Sequence, residues 1–148
     1  MTEKAEQIIS LEEAQARAVS GTGPAFLPPF ANSRMGSMGI ELELMVLDRL
    51  TYDLLPAAPD ILRLLDQRKK DWVATPEITT SMLEVATSIL DGYDQAAAQV
   101  EEIREAVRSA AFQVGAAISG GGAHPFQKWA EQRIYPKERY RASAKKFG

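Results

Sequence analysis

Cysteine is absent from the sequence. Disulfide staples, thiolate chemistry and zinc held by sulfur are therefore excluded. Long apolar runs are missing too: no stretch approaches the roughly 18 apolar residues of a membrane-spanning helix. Met1-Thr2-Glu3-Lys4-Ala5-Glu6 has no basic region leading into an apolar one, so no signal peptide is expected and a cytoplasmic protein is the simplest reading. Positive charge is not in excess. The formal net charge is -3, which argues against general nucleic-acid binding. Gly120, Gly121 and Gly122 are not followed by Gly-Lys-Ser/Thr, so they do not form a Walker A loop. Histidine occurs once, as His124 before Pro125, and in isolation reads as a loop residue.

What is present suits a folded domain. The 148 residues suffice for one domain with a real core, and 45% hydrophobic with 25% charged content is ordinary for a globular protein. The most informative stretch is Met38 to Leu47. Ile40, Leu42, Leu44 and Val46 alternate with Glu41, Glu43, Met45 and Leu47, the period of a strand with one face on a core. A rise of about 3.3 Å per residue puts the Cα atoms of Glu41 and Glu43 roughly 6.6 Å apart on one side. Like charges so placed repel, and glutamate is a poor strand former. Bulk water, a basic partner or a metal ion would offset the repulsion. A second strand is expected over Ser81-Met82-Leu83-Glu84-Val85-Ala86-Thr87, with Glu84 on a face shared by Met82 and Ala86. Beside the first strand, Glu84 would meet Glu41 and Glu43.

The other elements frame this pair. Ser10 to Glu13 fits a capping box for a short helix to about Val19, and Gly21 to Pro29 reads as a linker. Residues 1–35 are thus an N-terminal extension, and 36–148 carry the chemistry. Asp48 to Pro59 reads as a loop. Asp60 is a candidate cap for a helix ending near Lys69-Lys70, and Trp72 to Thr75 is a short strand stopped by Pro76. Asp91 to about Ala117 is the strongest helix, with Ala96, Val100, Ile103, Val107, Ala110 and Val114 forming one apolar stripe for a sheet. Another helix opens at Pro136 to Tyr140. The C-terminal segment is basic, with Lys128, Arg133, Lys137, Arg139, Arg141, Lys145 and Lys146 against Glu131 and Glu138. Such a segment holds phosphate or, by default, is a solvated face.

Four motifs stand in order: Gly39-Ile40-Glu41-Leu42-Glu43-Leu44, Ser81 to Thr87, Gly120-Gly121-Gly122-Ala123-His124-Pro125-Phe126 and Glu138-Arg139-Tyr140. Together they resemble the bacterial carboxylate-amine ligases, or glutamate-cysteine ligase type 2 proteins, from about Gly36 to Gly148. The resemblance implies an α+β domain, part of a glutamine synthetase-like catalytic fold: a mostly antiparallel sheet with helices packed on one face. It implies ATP and Mg²⁺ as cofactors and amino acids as substrates, typically the γ-carboxylate of glutamate joined to the amine of cysteine through an acyl phosphate. Under it Glu41, Glu43 and Glu84 are the metal ligands, and His124 and Arg139 are candidates for nucleotide or substrate contact. Hard Mg²⁺ prefers carboxylate oxygens, which would account for the acidic strand.

Family members run to more than twice this length, so the chain is expected to be the N-terminal part of a catalytic domain. A homo-oligomer is also expected, because an incomplete sheet leaves open edges. Nucleic acid and membrane are not expected partners. Two other readings stand beside the ligase. One is a hydrolase using Glu84 with Glu41 or Glu43 as an acid/base pair, indifferent to chelation. The other is a non-catalytic interaction or regulatory fragment, whose melting temperature would ignore ATP and magnesium.

Overall fold

A computed structural model of the chain describes residues 34–147. The short helix and Gly/Pro linker expected before them lie outside the described residues. Among the described residues there are four strands: β1 (Glu41–Asp48), β2 (Val73–Pro76), β3 (Met82–Ala86) and β4 (Ala116–Gly120). Three α-helices accompany them: α1 (Ala58–Asp66), α2 (Tyr93–Gln113) and α3 (Glu138–Phe147), with a 3-10 turn at Trp129–Glu131. These elements belong to the unit Gly36–Gly148. The sheet order is β2-β3-β1-β4, and every neighbouring pair is antiparallel. The domain is therefore α+β, as the alternation in two strands and the stripe on one helix require.

Register decides which face each residue takes. Leu42 lies opposite Val85 and Leu44 opposite Leu83, while Glu43 lies opposite Glu84. Side chains directly across an antiparallel pair share a face, so one row is apolar throughout and the adjacent row is acidic. The apolar rows meet the helices. Val46, Leu83, Val85 and Ala116 join Ile61 and Leu65 of α1 and Ile103, Val107 and Ala110 of α2 in one core. The helix expected to cover the face opposite the carboxylates does so. Trp72 adds a clamp, its body buried and its indole N–H donating to Glu102 of α2 at 2.8 Å.

Helix α1 ends at Asp66, short of the expected Lys69-Lys70, and β2 includes Pro76, where the sequence reading stops it at Thr75. Three further differences each have a local reason. Asp60 does not cap α1. The N-cap is Ala57, Pro59 occupies the first turn, and Ala58 N–H is satisfied at long range by the carbonyl of Thr80 at 2.9 Å. Helix α2 stops at Gln113, before Ala117, because Gly115 takes φ 74° and turns the chain back. The residues freed by that turn, Ala116 to Gly120, form β4, which the sequence reading had run together with the helix and the glycine loop. Their register is fixed by pairing with β1, from Asp48 opposite Ala116 to Leu44 opposite Gly120.

The carboxylate face of β1 is also not uniform along its length. Met45 and Leu47 share that face with the glutamates yet are only 6% and 9% exposed. After Asp48 the chain turns back, so that Leu55 N–H donates to Val46 at 2.8 Å, and the loop following β4 then packs on the returning segment. The sheet face is thus divided into a covered apolar half and an open acidic half.

Candidate metal centre

The acidic half is built from two strands and one strand exit. Glu41 and Glu43 project from β1, and Glu84 from β3 beside Glu43. On the far side of Glu84, β2 places Thr75 opposite it. Two residues on, just past the end of β2, Glu77 returns to the same face by the period of the strand. Carboxylate oxygens of Glu43, Glu77 and Glu84 all lie within 4.8 Å of one another. Glu41, Glu43 and Glu84, with Gly121 and Gly122, line an open cleft of about 450 Å³. Glu41 faces the cleft but stands outside the tight group of three.

Among the described residues, two of the three carboxylates have a hydrogen-bond donor from the protein. Thr75 Oγ1 donates to Glu84 Oε1 at 3.3 Å, and Ile78 N–H donates to Glu77 Oε2 at 3.1 Å. Glu84 and Glu77 are half-buried, whereas Glu43 is exposed. Of the three glycines, Gly121 is the one whose added Cβ would meet a neighbour within 4 Å. Gly121 takes φ 130°, and a Cβ built there would sit 3.2 Å from Cε of Met45. Glycine is favoured at this point by its backbone conformation, while the close neighbour is the free end of the flexible Met45 side chain.

His124 and Arg139 do not line this cleft. His124 is a tie between loops. Its Nε2 donates to the carbonyl of Tyr52 at 2.9 Å, and its Nδ1 accepts from the backbone N–H groups of Phe126 and Gln127 at 3.3 and 3.2 Å. The neutral tautomer protonated on Nε2 makes all three bonds and leaves no ring nitrogen over. Arg139 lies in the first turn of α3, where its guanidinium stacks 4.4 Å over the ring of Tyr140 and donates to that residue's hydroxyl. The same hydroxyl donates to the carbonyl of Pro76, which joins α3 to the strand end that carries Glu77. Glu77 is the site residue that the sequence reading missed. It follows a proline taken as a strand stop, and only the register of β2 on β3 brings it back to Glu84.

An antiparallel sheet with helices on one face and converging carboxylates on the other defines an α+β domain with a donor set of hard oxygens. Residues 37–148 match the model of glutamate-cysteine ligase family 2. A putative glutamate-cysteine ligase 2 of Leptothrix cholodnii is 43% identical over 122 residues, which cover 82% of this chain and 33% of that protein. A putative glutamate-cysteine ligase 2-2 of Legionella pneumophila strain Corby is similar to the same extent, 43% over 122 residues. The chain belongs to glutamate-cysteine ligase family 2. It spans about 33% of the length of these curated relatives. Among solved structures, a C-terminal segment of the alpha subunit of aIF2 from Pyrococcus abyssi aligns with a TM-score of 0.37 at 13% identity, covering 58% of this chain and 50% of that one, too little to bear on the fold.

Proposed function

We propose that this chain carries part of the metal and nucleotide centre of an ATP-dependent carboxylate-amine ligase, one that joins the γ-carboxylate of glutamate to an amine such as that of cysteine. The observation that carries the reading is the meeting of Glu43, Glu77 and Glu84 within 4.8 Å on an open sheet face. Three carboxylates held so close gain from a shared cation, and an all-oxygen donor set suits Mg²⁺ or Mn²⁺ and does not favour softer metals. Glu43, Glu77 and Glu84 would hold the ion, with Glu41 at the mouth of the cleft as a further carboxylate. When bound, the magnesium nucleotide supplies the phosphoryl group that activates a carboxylate and the positive charge that the transfer needs.

The chain's own residues bind and orient. The strands hold the carboxylates on the sheet, and the glycine segment lines the open cleft beside them. Ligase family membership and the relatives' names support the activity, and the substrates follow from the same likeness.

Titration of the metal-free protein with Mn²⁺, followed by calorimetry, tests the reading. Binding should be stronger at neutral than at acid pH, because carboxylates must be ionised to ligate. Glu43→Gln, Glu77→Gln and Glu84→Gln should each weaken it by at least about tenfold, with a smaller loss for Glu41→Gln. A hundredfold excess of metal over its dissociation constant should stabilise the fold by about 2.7 kcal/mol. Equal affinity in the wild type and all four variants would make the acidic row a solvated face.

A further inference from the structure

The carboxylate of Glu84 is set in its orientation from outside the group of three. Thr75 stands directly opposite Glu84 in the β2–β3 register, and its Oγ1 donates to Glu84 Oε1 at 3.3 Å. Among the described residues this is the hydrogen bond that Glu84 receives from a side chain, and both partners are half-buried. Threonine is β-branched, so its χ1 is stiff, and a strand stands the side chain perpendicular to the sheet. The hydroxyl is therefore a fixed donor. Holding one carboxylate oxygen narrows the orientations in which the other can be presented. On this basis, and resting on the metal reading above, we propose that Thr75 is a positioning residue: it keeps the Glu84 carboxylate in the orientation that brings it within 4.8 Å of Glu43 and Glu77.

The role is distinguishable from packing. Thr75→Val keeps the volume, the β-branch and the strand preference but removes the donor, while Thr75→Ser keeps the donor and removes the methyl group. Hydrogen-bonding partners of metal ligands are commonly worth about 10- to 100-fold in metal affinity. The test is a Mn²⁺ titration read by electron paramagnetic resonance on the wild type, Thr75→Val, Thr75→Ser and Glu84→Gln, with melting curves recorded without metal. Thr75→Val should bind Mn²⁺ about tenfold more weakly, Thr75→Ser should match the wild type, and the metal-free melting temperatures of these two variants should coincide with that of the wild type. Should Thr75→Val not fold, Thr75→Ala compared with Thr75→Ser gives the same contrast. Wild-type affinity in Thr75→Val overturns the positioning role and leaves the metal site standing. An equal loss in Thr75→Val and Thr75→Ser also overturns it, since the hydroxyl would not be the cause. A wild type that binds Mn²⁺ no better than Glu84→Gln overturns the metal reading, and this inference with it.

Discussion

At the scale of single residues, the turn after β1 shows how one carboxylate sets a local structure. Asp48 Oδ1 accepts the N–H groups of Leu50 and Thr51 at 2.8 and 2.9 Å. Those backbone donors hold its carboxyl below the ordinary aspartate value, since they favour the charged form. The sign follows from linkage: a group whose pKa is depressed in the folded state contributes stability above the unfolded-state pKa and loses it as pH falls through the folded value. Stability should therefore decline with acid over the range below 3.8, the ordinary value for aspartate. Urea denaturation of the wild type and Asp48→Ala across that range checks this, and the variant should show a shallower acid dependence. The turn also presents the carbonyl of Tyr52 to His124. His124→Ala is accordingly expected to loosen the loop after β4, seen as faster amide exchange around Phe126 and Gln127.

At the scale of elements, the contrast lies between α2 and its ending. Ile103 is 1% exposed and sits in the core between helix and sheet. Ile103→Ala should cost about 2–5 kcal/mol, the range for truncating a buried isoleucine, measured as a shift of the denaturation midpoint. Gly115 presents the opposite case. A Cβ there would meet nothing within 4 Å, so the whole cost of Gly115→Ala is backbone conformation at φ 74°. That cost should be about 1–2 kcal/mol, with the far-ultraviolet spectrum unchanged. A larger effect would mean that the turn into β4 depends on more than the glycine. The exposed ladder Glu101–Arg104–Glu105–Arg108 on the same helix lowers the two carboxyls and raises the two guanidiniums through their mutual hydrogen bonds. It is solvent-facing and salt-screened, and its removal should be nearly silent.

At the scale of the whole molecule, β4 is the outer strand of the sheet beside β1, and its sequence Ala116-Ala117-Ile118-Ser119-Gly120 has no charge and no proline. Edges without such gatekeepers invite pairing. A cleft of about 570 Å³, lined by Leu42, Leu44, Ile118 and Phe112 together with Arg49, Arg104 and Arg108, lies between the sheet and α2. Self-association that grows with concentration is the expected behaviour in light scattering, and a monodisperse monomer at high concentration would refute it. Among the described residues, no helix is long and apolar enough to cross a membrane.

The sequence by itself determined the elements whose pattern is local. Alternation placed Glu41 and Glu43 on one face of β1 and Glu84 on one face of β3 with Met82 and Ala86, and the stripe on α2 named its buried side before any contact was known. The four motifs led to the family. Tertiary structure alone decided what depends on register between distant segments. Glu77 joins the carboxylates because β2 pairs with β3 so as to put Thr75 opposite Glu84, and no local signal after Pro76 announces that. β4 exists because Gly115 reverses the chain onto β1, where short-range helix preference would have carried Ala116 and Ala117 onward. Met45 and Leu47 are buried on a face that alternation marked as open, because the chain after β1 turns back beside the strand and the loop after β4, remote in sequence, packs on that returning segment. Hydrogen-bond partners across a sheet are set by long-range packing, which a period of two residues specifies for each strand but not between strands.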